Sequence, residues 1–308
     1  MESQLLMNIA EKLDIAIKSK EVGTTEGAYV VQYRGATLNK PTYMTNTEWD
    51  EFKTAMKNNK VQPYAYAEYS SGDGGEMSEK NGRPPKMASY GSSSRLIYNL
   101  SCNKEGFHYE KKLPTTVGGK ANLDGFYEDE NRYIFVEAKC REPYSHKKNI
   151  VSECYAELYE YISTKMGDNL QIDTEPCDKE KCMEIDFWSE HDFIQRFDVK
   201  QMICHLLGIA TGLIKGTLKR KQIDFIYLFY DPTELDIAGK AKNIIDYAYE
   251  RTCYECNLID FSELFRTIIY YLTETKYPAA MTNEEIDEII LKFNFTLESQ
   301  ESYPILIQ

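Results

Sequence analysis

The sequence has no apolar run long enough to cross a bilayer: its longest uncharged apolar stretch, residues 202–214, is thirteen residues and holds His205. A membrane-spanning helix is therefore not expected. The order of a secretory leader, basic residues and then an apolar core, is also missing, because Glu2, Glu11, Lys12, Asp14 and Lys18 interleave with Leu6, Ile9, Leu13 and Ile17. That spacing predicts an amphipathic helix over residues 2–19 and a cytoplasmic protein with no membrane partner. No repeat or low-complexity tract is found. Basic residues are the scarcer charge, 36 Lys and Arg against 49 Asp and Glu, for a net charge of −13. Such a balance argues against a nucleic-acid partner. It conceals a segregation, however: residues 80–148 hold thirteen basic and eight acidic residues, a local +5, which leaves −18 for the rest.

What is present fits a globular chain. Its 308 residues are 42% hydrophobic and 28% charged, which is enough for one large or two small domains. Eight cysteines would allow four disulfides, but a chain of this size builds a core without staples, so free thiols are expected. The pairs Cys177/Cys182 and Cys253/Cys256 also have spacing that leaves a four-thiolate zinc site open. The tyrosines, 24 of them, are scattered as packing residues would be.

Along the chain, a strand is expected at 28–34, and the Thr45-x-x-Glu48 capping box opens a helix to about Lys57. Residues 1–69 thus read as an N-terminal α/β module. The segment 70–85, rich in Gly, Ser and charge, reads as a flexible loop or linker. A core over 86–232 follows: helix 86–99, strands 107–113, 121–127 and 133–140, helix 149–166, a polar irregular stretch 167–192, helix 193–216 and strand 225–230. Residues 141–192 form an insertion in it. From 233 to 308 a helical extension is expected, its last helix opening at Thr282-x-x-Glu285.

The chemistry concentrates in two strands. Glu137 and Lys139, at i and i+2, share one face of a strand while Val136 and Ala138 share the other. If the turn at 128–132 makes a hairpin, opposed residue numbers sum to 260 or 261, which sets Asp124 against Val136 or Glu137. Opposed Cβ atoms lie about 5 Å apart, so the two carboxylates can share a small cation. Carboxylate and carbonyl oxygens suit Mg2+ or Mn2+. Lys139 would then stand beside a water to orient it and offset charge on a phosphorane. The plainer alternative is a solvated Glu137–Lys139 pair with Asp124 ending its strand. On the helix 193–216, Asp198, Gln201 and His205 fall on one face.

The stretch Leu123-Asp124-Gly125, then Val136-Glu137-Ala138-Lys139, then Glu142-Pro143-Tyr144, resembles the active-site core of the PD-(D/E)XK, or restriction-endonuclease-like, nuclease superfamily. It is most similar to a bacterial subgroup with the pattern LDG…(V/I)ExK…EPY, although Leu123 stands where the name has proline. The resemblance covers residues 86–232 and implies an α/β fold with an αβββαβ core around a central mixed sheet. It further implies an Mg2+- or Mn2+-dependent endonuclease in which Asp124, Glu137 and the Ala138 carbonyl hold the metal and Lys139 positions water. Gln201 and Glu110 are added on the same ground. The expected partner is nucleic acid, DNA rather than RNA, met by Lys111, Lys112, Lys120, Arg141 and Lys147. The acidic remainder is open to a homodimer or a protein partner. A competing expectation is a catalytically silent module of the same fold that binds nucleic acid or protein.

Overall fold

A computed structural model gives the fold of residues 22–25, 28–33, 36–41, 44–72, 74–80, 84–89, 91–140, 149–177, 180–230 and 240–299, with backbone alone for 22–41 and 240–246. The helix expected over 2–19 lies outside the described residues. Strands β1 (Val22–Thr25), β2 (Ala28–Tyr33) and β3 (Ala36–Pro41) form an antiparallel sheet of their own. Helix α1 (Asn46–Lys57) begins at the expected capping box, with Thr45 and Glu48 each accepting the other's backbone N–H. Helix α2 (Ala65–Ser70) and helix α3 (Ser93–Ser101) follow. The expected start of α3 at 86 is instead a 3-10 turn, Lys86–Ala88, because Ser92 caps the helix proper by accepting the Arg95 N–H at 3.2 Å.

The central sheet is mixed. Strands β4 (Phe107–Pro114), β5 (Lys120–Glu128) and β6 (Arg132–Lys139) run antiparallel in succession. Strand β11 (Gln222–Phe229) pairs parallel to β6, and β12 (Phe293–Ser299) pairs parallel to β11. The order is β12-β11-β6-β5-β4. Strands β6 and β11 are buried on both faces and therefore read as nearly continuous apolar runs. Tyr133, Phe135, Phe225 and Tyr227 face one layer, while Ile134, Val136, Ile226 and Leu228 face the other.

The second layer holds α1, α2 and α3. Met56, Ala65, Tyr69 and Ile97 pack with Val136 and Leu228, so α1, the helix expected in an N-terminal module, shares the core of the sheet with α2 and α3. The segment expected as a linker is also packed in part: Lys86 N–H donates to the Gly75 carbonyl and Met87 N–H to that of Glu76, both at 3.0 Å.

The first layer is built on α5 (Val199–Ile214), which leads from the insertion into β11. A Cβ on Gly208 would lie 2.7 Å from the Ala121 Cβ and 3.1 Å from that of Leu113, so α5 rests on β5 and β4 at a distance only glycine permits. The insertion is more regular than its polarity suggested. It contains β7 (Asn149–Ser152), α4 (Ala156–Met166), β8 (Gln171–Pro176), β9 (Cys182–Ser189) and β10 (Asp192–Ile194), with β9 pairing antiparallel to the other three strands. Two expectations are corrected here: residues 149–152 are strand, and α5 starts at Val199 because Asp198 caps it. The C-terminal part supplies α6 (Lys240–Asn257), α7 (Phe261–Tyr271) and α8 (Asn283–Leu291), and its described residues close with β12, a strand where a wholly helical extension was expected.

Candidate functional site

The hairpin arithmetic holds, with Gly125 opposite Val136 and Glu128 opposite Tyr133, a constant sum of 261. Asp124 and Glu137 are the next pair in register, where the β5–β6 ladder stops. The stop has a visible cause. On β5, Ala121, Leu123 and Phe126 all belong to the α5-side core, so the alternation slips by one between Leu123 and Phe126. On β4 the same slip separates Tyr109, on the α3 side, from Leu113, on the α5 side. Glu110 and Asp124 sit at this slip, between the pairs Tyr109–Gly125 and Lys111–Leu123. Glu110 takes up the distortion with φ +53°, a left-handed conformation unusual for a side chain of its size.

Freed from the ladder, Asp124 uses its Oδ2 to accept the Ala138 backbone N–H at 2.8 Å. In an extended strand a residue's C=O leaves by the same edge as its N–H, so the Ala138 carbonyl also looks toward Asp124. Glu137 and Lys139 project to the α5 side, as their alternation requires, and are only 1% and 6% exposed.

There α5 meets them. Lys139 Nζ donates to Glu137 Oε1 and to Gln201 Oε1, each at 2.5 Å, and stands 3.8 Å from Asp198 Oδ2. The other Glu137 oxygen, Oε2, lies 2.9 Å from Nε2 of His205, itself 1% exposed. Asp198 has a second task, since its Oδ1 caps α5 by accepting the Gln201 N–H at 3.0 Å. Two turns of helix therefore fix the lysine and the acid together. The site lies at the carboxyl end of β6, beside the parallel strand β11, where open α/β sheets place ligands.

The carboxylates titrate apart. Burial pushes the Asp124 carboxyl well above its ordinary value, Glu137 and Glu110 push the same way, and Lys139 and the Ala138 N–H oppose them. Burial also works to raise Glu137, but Lys139 and His205 together hold it below the ordinary value. Glu110 is pushed up to about 7, first by burial and then by the negative charge of Glu76, with Lys86 and Lys112 opposing. Pairs pushed in opposite directions are a mark of functional sites.

Asp124, Glu137, Lys139 and Gln201 are thus brought together, and Glu110 stands opposite Asp124. The ascribed nucleic-acid contacts are less gathered. The Lys111 ammonium lies 4.2 Å from the ring centre of Phe126, on the α5 side, whereas Lys112 acts on Glu110 and Lys120 is exposed at the start of β5. Arg141 and Lys147 lie outside the described residues. Glu76 was not singled out in the sequence, and His205 was placed on one face with Asp198 and Gln201 but given no role; its place one turn beyond Gln201 was the available signal.

The oxygen donors at Asp124, Glu137 and Ala138 have the chemistry a hard divalent cation takes. Among the described residues, no group of three or more His, Cys, Asp and Glu side chains is gathered so as to hold a metal ion. Two side chains and a carbonyl fall below that number, and Glu137 is turned toward Lys139 and His205. All eight cysteines are free thiols. Compared with known proteins, the chain matches no family model, no curated protein and no solved structure. No described helix is long and apolar enough to cross a membrane.

Proposed function

We propose that the chain is a divalent-metal-dependent nuclease that hydrolyses phosphodiester bonds of DNA, with a restriction-endonuclease-like core. The observation that carries this reading is the buried Lys139, held by Glu137 and Gln201 beside an Asp124 whose carboxyl burial pushes upward. A cation buried among carboxylates at a strand end is expensive to keep for stability alone. The order α3, β4, β5, β6, α5, β11 supports the same reading, since it is the αβββαβ order that the motif resemblance implies.

Asp124, Glu137 and the Ala138 carbonyl would hold Mg2+ or Mn2+, which supplies Lewis-acid polarisation of a phosphoryl oxygen when bound. The chain's own groups do the rest. Lys139 orients a water for attack on phosphorus and offsets the negative charge that grows on the phosphoryl oxygens. Gln201 and Asp198 fix the direction of its ammonium, and His205 fixes the plane of the Glu137 carboxylate. The water oxygen forms the new P–O bond and releases a proton to solvent, the old P–O bond breaks, and the departing oxygen takes a proton from solvent.

One observation favours the silent-module alternative: both Glu137 oxygens already have protein partners. Cleavage of plasmid and oligonucleotide DNA with Mg2+, Mn2+ or EDTA separates the two. Wild type should cut with metal and stop with EDTA, and Lys139→Ala should cut about 100-fold or more slowly. Intact DNA under every condition would leave the binding module as the reading.

A further inference from the structure

We propose that Lys86, aimed by Glu76 from a cradle of glycines, is a further substrate-contacting residue of the candidate site and takes a backbone phosphate of DNA beside Glu110. The proposal rests on the nuclease reading for its substrate class.

Glu76 is an unusual residue to find in a glycine-rich loop, because its side chain is only 4% exposed. Its Oε2 accepts the Gly74 N–H at 3.1 Å, and its Oε1 accepts from Lys86 Nζ at 3.1 Å. The flanking backbone is zipped by the bonds from Lys86 and Met87 to the carbonyls of Gly75 and Glu76. Gly72 and Gly74 are what makes room. A Cβ on Gly74 would fall 1.9 Å from Glu76 Oε1 and 2.5 Å from Lys86 Nζ, and one on Gly72 would fall 2.6 Å from Glu76 Oε2. These glycines are therefore packing residues of an ion pair, and any side chain at 74 would drive the pair apart.

Neutral Gln at position 76 could accept the Gly74 N–H without the cost of burying a charge. A buried carboxylate is explained by the cation it holds. That cation is not buried with it: the Lys86 side chain is 59% exposed, so an anion can reach its ammonium from solvent. Its position is set as well: helix α2, which runs into this loop, is fixed to β4 where Glu68 Oε2 accepts the Tyr109 N–H at 2.9 Å, next to Glu110, and the charges of both Glu76 and Lys86 act on the Glu110 carboxyl, which stands opposite Asp124. A phosphate held there would lie beside the proposed hydrolytic centre. Lys86 is thus the exposed half of a neutral pair, and its ammonium can donate to a phosphate oxygen while Glu76 keeps it in place.

The test is equilibrium binding of the full chain to a labelled DNA duplex, with Ca2+ in place of Mg2+, over a series of salt concentrations. Lys86→Gln should weaken binding about tenfold and lower the slope of log affinity against log salt by about one. Gly74→Ala, which changes no charge, should weaken binding in the same way, and Lys86→Arg should keep the wild-type slope. Lys219→Gln, an exposed lysine on the turn before β11, should bind as wild type. Wild-type affinity and slope in Lys86→Gln or Gly74→Ala would overturn the proposal alone, as would an equal loss in Lys219→Gln. A wild-type chain that binds no duplex would overturn the nucleic-acid reading with it.

Discussion

Glu110 combines a left-handed backbone, a half-buried carboxyl and a neighbouring Asp124, and each has a measurable consequence. Its carboxyl titrates at about 7 in the fold against an ordinary 4.5, so the folded chain keeps that proton to higher pH than the unfolded chain does. Stability from this group is therefore complete below about 4.5 and is lost as pH rises toward about 7. Glu110→Gln should remove that decline: urea midpoints measured from pH 4 to 8 should fall across the window in wild type and stay flatter in the variant. Equal slopes would mean that Glu110 is solvated. Lys139 gives the complementary case. Removing it leaves Glu137 buried with His205 as its remaining partner, so Lys139→Ala should cost about 3–5 kcal/mol of stability as well as activity. Lys139→Met in a Glu137→Gln background should recover part of the stability and none of the cleavage.

Among the elements, the placing of Gln201 and His205 depends on how closely α5 lies on the β4–β5 pair. Gly208→Ala places a methyl 2.7 Å from the Ala121 Cβ and should lift the helix. The expected loss is about 1–3 kcal/mol, with slower cleavage because Gln201 and His205 move with the helix. Ala121→Gly in the same chain should restore much of both; a double-mutant cycle with no coupling would contradict the packing argument. The same elements show what was legible in the chain. Strands β4, β5 and β6 and the pairing of Asp124 with Glu137 followed from alternation and a turn, because both are local. The face of α5 carrying Asp198, Gln201 and His205 was also readable from helical spacing. Strands β9 and β12 were missed although their alternation is present, Met183, Ile185, Phe187 in one and Phe293, Phe295, Leu297 in the other. In β9 the intervening acids give the segment the polarity of a loop, and β12 follows directly on the helical run of α8. The burial of Glu76 was not readable, because it depends on glycines fitting around a side chain and on a strand more than 30 residues away.

For the whole molecule, the segregated charge and the buried carboxylates bear together on the proposed metal and the proposed substrate. A net charge of −13 gives the chain little general attraction for DNA, so binding should depend on the local basic residues and weaken steeply with salt. The central claim is that Asp124 and Glu137 together form a divalent-cation site, and global unfolding reports it through linkage. The decisive measurement is the melting temperature of wild type and Asp124→Asn with and without saturating Mn2+. Wild type should be stabilised by about 1–3 kcal/mol, while Asp124→Asn, relieved of a buried charge, should melt no lower than metal-free wild type and should ignore the metal. A wild type that melts at the same temperature with and without Mn2+, or a variant that gains as much as wild type, would contradict the claim.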